Sequence, residues 1–233
     1  MPAYNAERTI AGAINSIVTQ TYGNWELIIV IDGATDGTEK IARLFRDGRI
    51  RIYSYIENKG VAEARNFGNK KAIGRIAIVQ DADDFSLPTR LEKIVEIFAK
   101  SKAEVVVHGA FVNAWNNQYQ CIERRYIPPL SGKRNALENR INGYPAYKRE
   151  VWLKRPFRKE TRYAYDYMMH LDWTLSGFKY ATLNEGLYDY IRYQGSASDR
   201  FEKSGQRAEA FAKVKEIISK EYGIRNNGDD GVV

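Results

Sequence analysis

The sequence predicts an α/β fold, an open, twisted, mostly parallel sheet that is flanked by helices. Three observations support this prediction. Short apolar runs rich in β-branched residues alternate with segments of helical periodicity over residues 1–115. The 233 residues are 44% hydrophobic and 28% charged, which is the composition of a globular protein. Aromatic residues make up 12% of the chain, which excludes general disorder.

The elements of the first half follow from local patterns. Ile10, Ile14 and Ile17 recur at helical spacing and predict an amphipathic helix. The run LIIVI at residues 27–31 is continuous, apolar and β-branched, as in a buried parallel strand. On the same criteria, strands are predicted at residues 27–31, 50–56, 75–79 and 104–114, and helices at 7–20, 35–45, 61–72 and 88–98.

The second half has a different character. Tyrosine and tryptophan become frequent after residue 116, and the regular alternation of strands and helices stops. Helices are predicted at residues 166–175 and 207–222. No linker rich in proline, glycine or serine separates the two parts. We therefore predict one compact unit with two halves, residues 1–115 and residues 116–233.

The first residues are unusual for this fold. PAYN at residues 2–5 has the pattern of a loop that follows a strand, yet only Met1 precedes it. A doubly wound sheet normally has that first strand near its centre. We therefore expect the first strand to be truncated, with about five residues, a typical strand length, lying upstream.

An acidic cluster follows the strand at residues 75–79. Asp81, Asp83 and Asp84 would lie at the carboxyl end of that strand, where open α/β sheets bind their ligands. Carboxylates so close together repel each other unless a cation neutralises them, and Mg²⁺ and Mn²⁺ prefer oxygen ligands. The alternative is an acidic turn that caps the helix after Pro88.

Four motifs in this order resemble glycosyltransferase family 2. They are PAYN at residues 2–5, IDGATDGT at 31–38, NKGVAEARN at 58–66 and the Asp-x-Asp motif DAD at 81–83. The resemblance is close over residues 1–100 and loose over residues 140–200. It implies a Rossmann-like fold of the GT-A type, with a nucleotide-sugar-binding half at residues 1–115 and an acceptor-binding half with a C-terminal helix at residues 116–233.

The resemblance also implies an activity. Family members transfer a sugar from a nucleotide-diphosphate sugar, most often a UDP-sugar, to an acceptor hydroxyl. The implied mechanism inverts the anomeric carbon and depends on Mn²⁺ or Mg²⁺. The acceptor would be a saccharide, a lipid-linked molecule or a protein, and polysaccharide biosynthesis is a typical setting.

The site residues implied by the resemblance come from both halves. Asp83 would bind the metal, and Asp166 would act as the general base, with Asp172 as the second candidate. The alternative for Asp166 is a charge that complements the helix dipole. The residues implied to contact the donor are Pro2, Ala3, Tyr4, Asp32, Asn58, Arg65 and Asp81.

Three positions depart from the family pattern and keep other functions open. Ile31 replaces the first Asp of a pair, Tyr165 replaces a Glu before Asp166, and Tyr193 replaces a metal-binding His. These departures give some support to one alternative, a catalytically impaired homologue that binds nucleotide or glycan, whereas the retained Asp81, Asp83, Asp84 and Asp166 argue against it. A sugar nucleotidyltransferase is a weaker alternative, because residues 2–7 contain no glycine for a triphosphate loop.

Charge and cysteine content bear on partners and location. The net charge of +7 would suit nucleic acid, but no such binding motif is present and the acidic cluster opposes a phosphate backbone, so we expect no nucleic-acid partner. The single cysteine, Cys121, excludes an internal disulfide and fits a reducing compartment. We expect a cytoplasmic protein, with peripheral membrane association through basic clusters as a further expectation. His108 is predicted to be a buried core residue.

Overall fold

The computed structural model describes residues 1–116, 120–131, 136, 144–161 and 164–223. The strands are β1 (Pro2–Ala3), β2 (Leu27–Asp32), β3 (Ile50–Tyr55), β4 (Ile76–Ile78), β5 (Phe85–Ser86), β6 (Val105–Trp115), β7 (Cys121–Ile127), β8 (Ala146–Lys148) and β9 (Tyr180–Arg192). The helices are α1 (Ile10–Val18), α2 (Thr38–Ala42), α3 (Val61–Lys71), α4 (Arg90–Lys100), α5 (Arg149–Lys154), α6 (Tyr165–Leu175), α7 (Ala197–Lys203) and α8 (Arg207–Tyr222). No helix in these ranges is long and apolar enough to cross a membrane.

The first sheet is parallel and buried on both faces. Its order is β1-β2-β3, and every residue of β2 is buried. Because side chains alternate along a strand, Ile29 and Ile31 pack with α1 while Ile28 and Val30 pack with Ala64 of α3. This two-sided burial explains the continuous apolar run, and it confirms the strand and the helices predicted around it.

The second sheet has the order β4-β8-β6-β9-β5, with β7 paired to β6. It differs from the predicted mostly parallel arrangement, because only the β6–β9 pair is parallel and its other pairs are antiparallel. A short connection of the kind that joins β6 to β7 reverses the chain, whereas parallel pairing needs a long crossover. β6, the last strand of the predicted first half, thus belongs to a sheet to which each predicted half contributes three strands.

The strand β9 was not predicted, and its pairing explains why. The register against β6 shifts on both sides of Gly109, where Gly109 pairs with Gly186. Such a shift inserts extra residues and interrupts the alternation on which strand prediction rests. The other unpredicted elements are β5, β7, β8, α5 and α7, all of seven residues or fewer.

The strand β1 is only two residues long, yet it is anchored. The Met1 ammonium donates to the Ile28 carbonyl over 2.8 Å, and the Val30 amide donates to the Met1 carbonyl over 2.9 Å. The expectation of further strand residues upstream stays a prediction.

One buried amide fastens α3 to the second half. Asn66 Oδ1 accepts from the Trp152 indole over 2.8 Å and from the Phe157 amide over 3.0 Å. Its Nδ2 donates to the Phe157 carbonyl over 2.8 Å. α3 is thereby fixed against the aromatic core around Trp173.

Candidate active site

A cleft of 1290 Å³ opens at the carboxyl ends of β1 and β2 and beside the acidic cluster. Ligands of open α/β sheets bind at this edge. The loops after β1, β2 and β4 line it together with the head of α6, the end of β9 and the helices α7 and α8. The cleft therefore lies between the two predicted halves.

The loop after β1 is locked to the loop after β2. Asn5 Oδ1 accepts from the Thr35 amide over 2.9 Å, and Glu7 Oε2 accepts from the Gly37 amide over 2.8 Å. Asn5 has a φ of 47°, a left-handed conformation that asparagine adopts more readily than most residues. These bonds fix the wall that carries Pro2, Ala3 and Tyr4.

Asp32 holds the turn before α3. Its side chain accepts from the Lys59 and Gly60 amides, each over 2.8 Å, and its carbonyl accepts from Asn58 Nδ2 over 3.0 Å. Gly33 has a φ of +69°, and a Cβ there would lie 2.3 Å from the Asn58 amide nitrogen. Only glycine fits this close approach, so the second and third motifs pack as one unit.

Arg65 lies behind Asp81, and the described lining of the cleft does not include it. Its Nη2 donates to Asp81 Oδ1 over 2.6 Å, while its side chain is only 5% exposed. Its guanidinium carbon is 4.7 Å from the centre of the Tyr165 ring. The Asp81 amide also donates to the Tyr188 hydroxyl over 3.0 Å. Arg65 thus orients Asp81 toward the cleft and supports the head of α6.

Burial and mutual repulsion govern the acidic cluster. Burial, followed by the neighbouring Asp81 carboxylate, raises the pKa of Asp83 to about 7, while the charges of Arg200 and Arg65 oppose this rise. Burial also raises the pKa of Asp84, which is fully buried and whose Oδ1 accepts from the Ile191 amide over 2.8 Å. Asp84 therefore anchors β9, while Asp81 and Asp83 face the cleft.

The carboxylates of the acidic cluster fit a cation that takes its remaining ligands from a substrate and from water. In the described ranges, no group of three or more His, Cys, Asp or Glu side chains could hold a metal ion by itself. Asp81 and Asp83 nevertheless offer carboxylate oxygens, and a cation would relieve the repulsion that raises the pKa of Asp83. Mg²⁺ and related ions commonly bind through one or two carboxylates plus substrate phosphates and water.

Asp166 reaches the cleft from the first turn of α6. Its Oδ1 accepts from the Tyr167 amide over 2.8 Å, and burial raises its pKa. Asp172 lies elsewhere: it is buried, it accepts a hydrogen bond from the Tyr222 hydroxyl, and it is not part of the described cleft lining. The structure thus distinguishes the two candidates for the general base, because Asp166 lines the cleft and Asp172 is not part of its described lining.

Most of the predicted site residues meet in this cleft. The predicted residues that line it are Pro2, Ala3, Tyr4, Asp32, Asn58, Asp81, Asp83 and Asp166. Sequence reasoning missed much of the lining that the end of β9 and the helices α7 and α8 provide, including Tyr190, Arg192, Arg200, Arg207 and Phe211. No motif marked these positions; the nearest signal was Tyr193, which also lines the cleft.

Comparison with known proteins gives consistent matches. The family model described as Glycosyl transferase family 2 matches residues 1–186. A similar curated protein is the Escherichia coli UDP-Glc:alpha-D-GlcNAc-diphosphoundecaprenol beta-1,3-glucosyltransferase WfgD, 40% identical over 137 residues, which are 59% of this chain and 53% of that protein. Glycosyltransferase GlyG of Streptococcus pneumoniae is 27% identical over 84% of this chain and 70% of its own. The chain spans about half the length of several curated relatives that it matches.

Solved structures confirm the fold. TarS of S. aureus in complex with UDP-GlcNAc superposes with a TM-score of 0.74 at 17% identity, over 96% of this chain and 66% of that chain. The mannosyltransferase PcManGT from Pyrobaculum calidifontis, in complex with GDP-Man and Mn²⁺, gives a TM-score of 0.65 at 21% identity, over 92% and 62%. The predicted GT-A type of α/β fold is therefore confirmed.

Proposed function

The chain belongs to glycosyl transferase family 2, and from that premise we propose that it transfers a sugar from a nucleotide-diphosphate sugar to an acceptor hydroxyl with inversion. One observation carries the proposal: a single cleft is lined both by the predicted donor-binding residues of the first half and by Asp166 of the second half. A UDP-sugar is the proposed donor. UDP-Glc in the name of WfgD and UDP-GlcNAc in the TarS complex support this choice.

The nucleotide would bind against the loops after β1 and β2. Pro2, Ala3 and Tyr4 offer a rigid wall for the nucleoside, and Tyr4 is 46% exposed, so its ring is available for stacking on the base. Asp32 and Asn58 shape the other side of this pocket through the bonds that hold residues 58–60. Arg65 would act on the nucleotide through Asp81, because its guanidinium lies behind that carboxylate.

Asp83, assisted by Asp81, would hold a Mn²⁺ or Mg²⁺ ion shared with the diphosphate. When bound, such an ion stabilises the negative charge of a nucleoside diphosphate leaving group. The Mn²⁺ in the GDP-Man complex of PcManGT supports this assignment. The raised pKa of Asp83 is consistent with a carboxylate whose natural environment includes a cation.

Asp166 would accept the proton of the attacking hydroxyl. Its Oδ1 already accepts from the Tyr167 amide, so Oδ2 is the oxygen that we assign to the proton. The raised pKa of Asp166 makes the carboxylate a better base near neutral pH. The acceptor oxygen attacks the anomeric carbon as the bond to the diphosphate breaks on the opposite face, which inverts the configuration without a covalent enzyme intermediate.

We propose a lipid-linked saccharide as the acceptor, within polysaccharide biosynthesis. The diphosphoundecaprenol acceptor in the name of WfgD supports this class over a free saccharide or a protein. An acceptor of this kind would bring the protein to the cytoplasmic membrane surface as a peripheral protein.

A coupled measurement of donor use and product configuration tests the proposal. The protein is incubated with UDP-Glc, UDP-GlcNAc or GDP-Man, Mn²⁺ and a synthetic lipid-diphosphate sugar. We expect release of UDP that requires the acceptor, with NMR showing an inverted linkage. Binding of UDP without any transfer would instead support the catalytically impaired homologue, and a retained linkage would contradict the role of Asp166.

A further inference from the structure

Three arginines of the second half line the cleft that also holds the acidic cluster. Arg192 ends β9, Arg200 lies in α7 and Arg207 begins α8, and all three line the cleft. The family model matches residues 1–186, so it does not extend to these residues. We call these three residues the arginine wall.

The members of the arginine wall differ in how their charge is compensated. Arg192 forms a salt bridge of 2.7 Å with Glu202. Arg200 donates through Nη1 to the Gly195 carbonyl over 2.7 Å, which is a neutral partner. The Arg207 guanidinium is 5.4 Å from the centre of the Phe211 ring. Within the part of the chain that the structure describes, no carboxylate forms a salt bridge with Arg200 or Arg207.

Position and charge both indicate the chemistry that this wall would bind. Arg200 and Asp83 line the same cleft, and the charge of Arg200 opposes the rise in the pKa of Asp83. A guanidinium presents parallel N–H donors that match phosphate oxygens, and such charge-assisted bonds are stronger than neutral ones. The Gly195 carbonyl occupies only Nη1, so other N–H groups of Arg200 remain for a ligand.

The size of the cleft leaves room for a second substrate. Pockets for one small ligand usually measure about 300–1,000 Å³. The cleft exceeds this range at 1290 Å³, and it extends from Tyr4 to Phe211. A donor held at the loops after β1 and β2 would leave the region of α7 and α8 open to the far part of the donor or to the acceptor.

We propose that Arg200 and Arg207 form a phosphate-binding subsite, which takes a diphosphate group carried by one of the substrates. The inference rests on the proposed function, because that function supplies two diphosphate sources: the nucleotide-sugar and a lipid-diphosphate acceptor. Both sources share the chemistry that the two arginines recognise, and a binding experiment distinguishes them.

Titration calorimetry on the full chain tests the subsite. UDP, uridine and a short-chain alkyl diphosphate are titrated, with Mn²⁺ present, into wild type, Arg200→Gln and Arg207→Gln. The matched control is Arg125→Gln, an exposed arginine on β7 that removes the same charge outside the cleft. Arg200 and Arg207 are also exposed, so folding should persist, and circular dichroism checks it.

We expect each cleft variant to lose about 10-fold or more in affinity for one diphosphate ligand, as for a hydrogen bond to a charged group. Loss for UDP but not uridine assigns the subsite to the donor. Loss for the alkyl diphosphate at saturating UDP assigns it to the acceptor. Arg200→Lys keeps the positive charge but not the parallel N–H donors of a guanidinium, so it should show an intermediate loss of affinity.

Two results would overturn the inference, and they have different consequences. If wild type binds UDP and both cleft variants match Arg125→Gln for every ligand, the subsite is wrong while the proposed function stands. If wild type binds neither UDP nor the alkyl diphosphate, the proposed function and the subsite both fail.

Discussion

Arg65 and Asp81 form a salt bridge of 2.6 Å in which the arginine approaches from the core and the carboxylate faces the cleft. The pair joins α3 to the loop after β4. The sequence motifs predicted that each of the two residues would contact the donor separately. Its geometry makes Arg65 a positioning residue, because the guanidinium balances the acidic cluster from behind rather than from the ligand side.

Arg65→Met should therefore destabilise the fold strongly. The substitution leaves the half-buried Asp81 carboxylate without its partner, and loss of such a partner typically costs about 1–3 kcal/mol. The control is Arg43→Met. Arg43 is an exposed arginine directly after α2 that pairs with Glu39 of that helix, and its loss should cost less than about 1 kcal/mol. Urea unfolding at pH 7 measures both. Equal losses in the two variants would show that Arg65 does not stabilise the cluster.

Asp166→Asn should block turnover while leaving donor binding intact. Asparagine keeps the shape and can still accept from the Tyr167 amide, but it cannot take a proton. Removal of a general base typically lowers the rate about 10²–10⁴-fold. Turnover and UDP affinity are compared with those of Asp172→Asn, which changes a carboxyl outside the described cleft lining. If Asp166→Asn turns over at the wild-type rate, the base is another residue.

Asp83→Ala and Asp32→Ala should fail in different ways. Asp83→Ala should abolish the enhancement of UDP binding by Mn²⁺, with little loss of stability, because Asp83 is half-buried and its raised pKa indicates that the fold disfavours its charge. Asp32→Ala should cost about 1–3 kcal/mol of stability, since the Lys59 and Gly60 amides lose their acceptor. Calorimetry with Mn²⁺ or chelator and thermal melting separate the two effects. Unchanged Mn²⁺ dependence in Asp83→Ala would contradict the metal assignment.

His108 should make stability fall at acid pH. Its Nε2 accepts from Arg90 Nε over 2.9 Å, and burial, followed by the Arg90 charge, lowers its pKa to about 3. The unfolded chain takes up this proton below about pH 6.5, whereas the folded chain resists it down to about pH 3. The free energy of unfolding should therefore fall as pH drops through this window, by up to about 1.4 kcal/mol per pH unit from this group.

Urea unfolding of wild type and His108→Gln between pH 7 and pH 5 measures this contribution. The variant should have a shallower slope, because glutamine does not titrate. Carboxyl groups titrate in both proteins and cancel in the comparison. Parallel slopes would show that burial and the Arg90 charge do not hold His108 neutral in the folded chain.

The first half was predictable because its information is local. LIIVI and the helical spacing of Ile10, Ile14 and Ile17 reflect burial on neighbouring elements, and a periodic pattern records that burial directly. The glycine of the second motif also carries local information. Gly33 adopts a positive φ and leaves no room for a Cβ against the backbone of Asn58. The motifs therefore predicted the family and many of the residues that line the cleft.

The part of the cleft lined by the end of β9, α7 and α8 was not predictable, because it depends on contacts between distant residues. Asp84 Oδ1 bonds to the Ile191 amide 107 residues later, and this bond helps to bring the end of β9 to the acidic cluster. No local pattern around Arg200 or Arg207 encodes that approach. Their place in the cleft follows from the pairing of β9 with β6 and β5.

By itself, the sequence determined which residue types stand at the strand ends, and hence the family, the α/β class and the acidic cluster. Only the tertiary structure decided which charged side chains contact each other and which of them line the cleft. It placed Arg65 behind Asp81, Asp166 in the cleft and Asp172 under Tyr222. Strand and helix patterns arise from neighbours a few residues away, whereas the direction in which a charged side chain points is set by the packing of whole elements against each other.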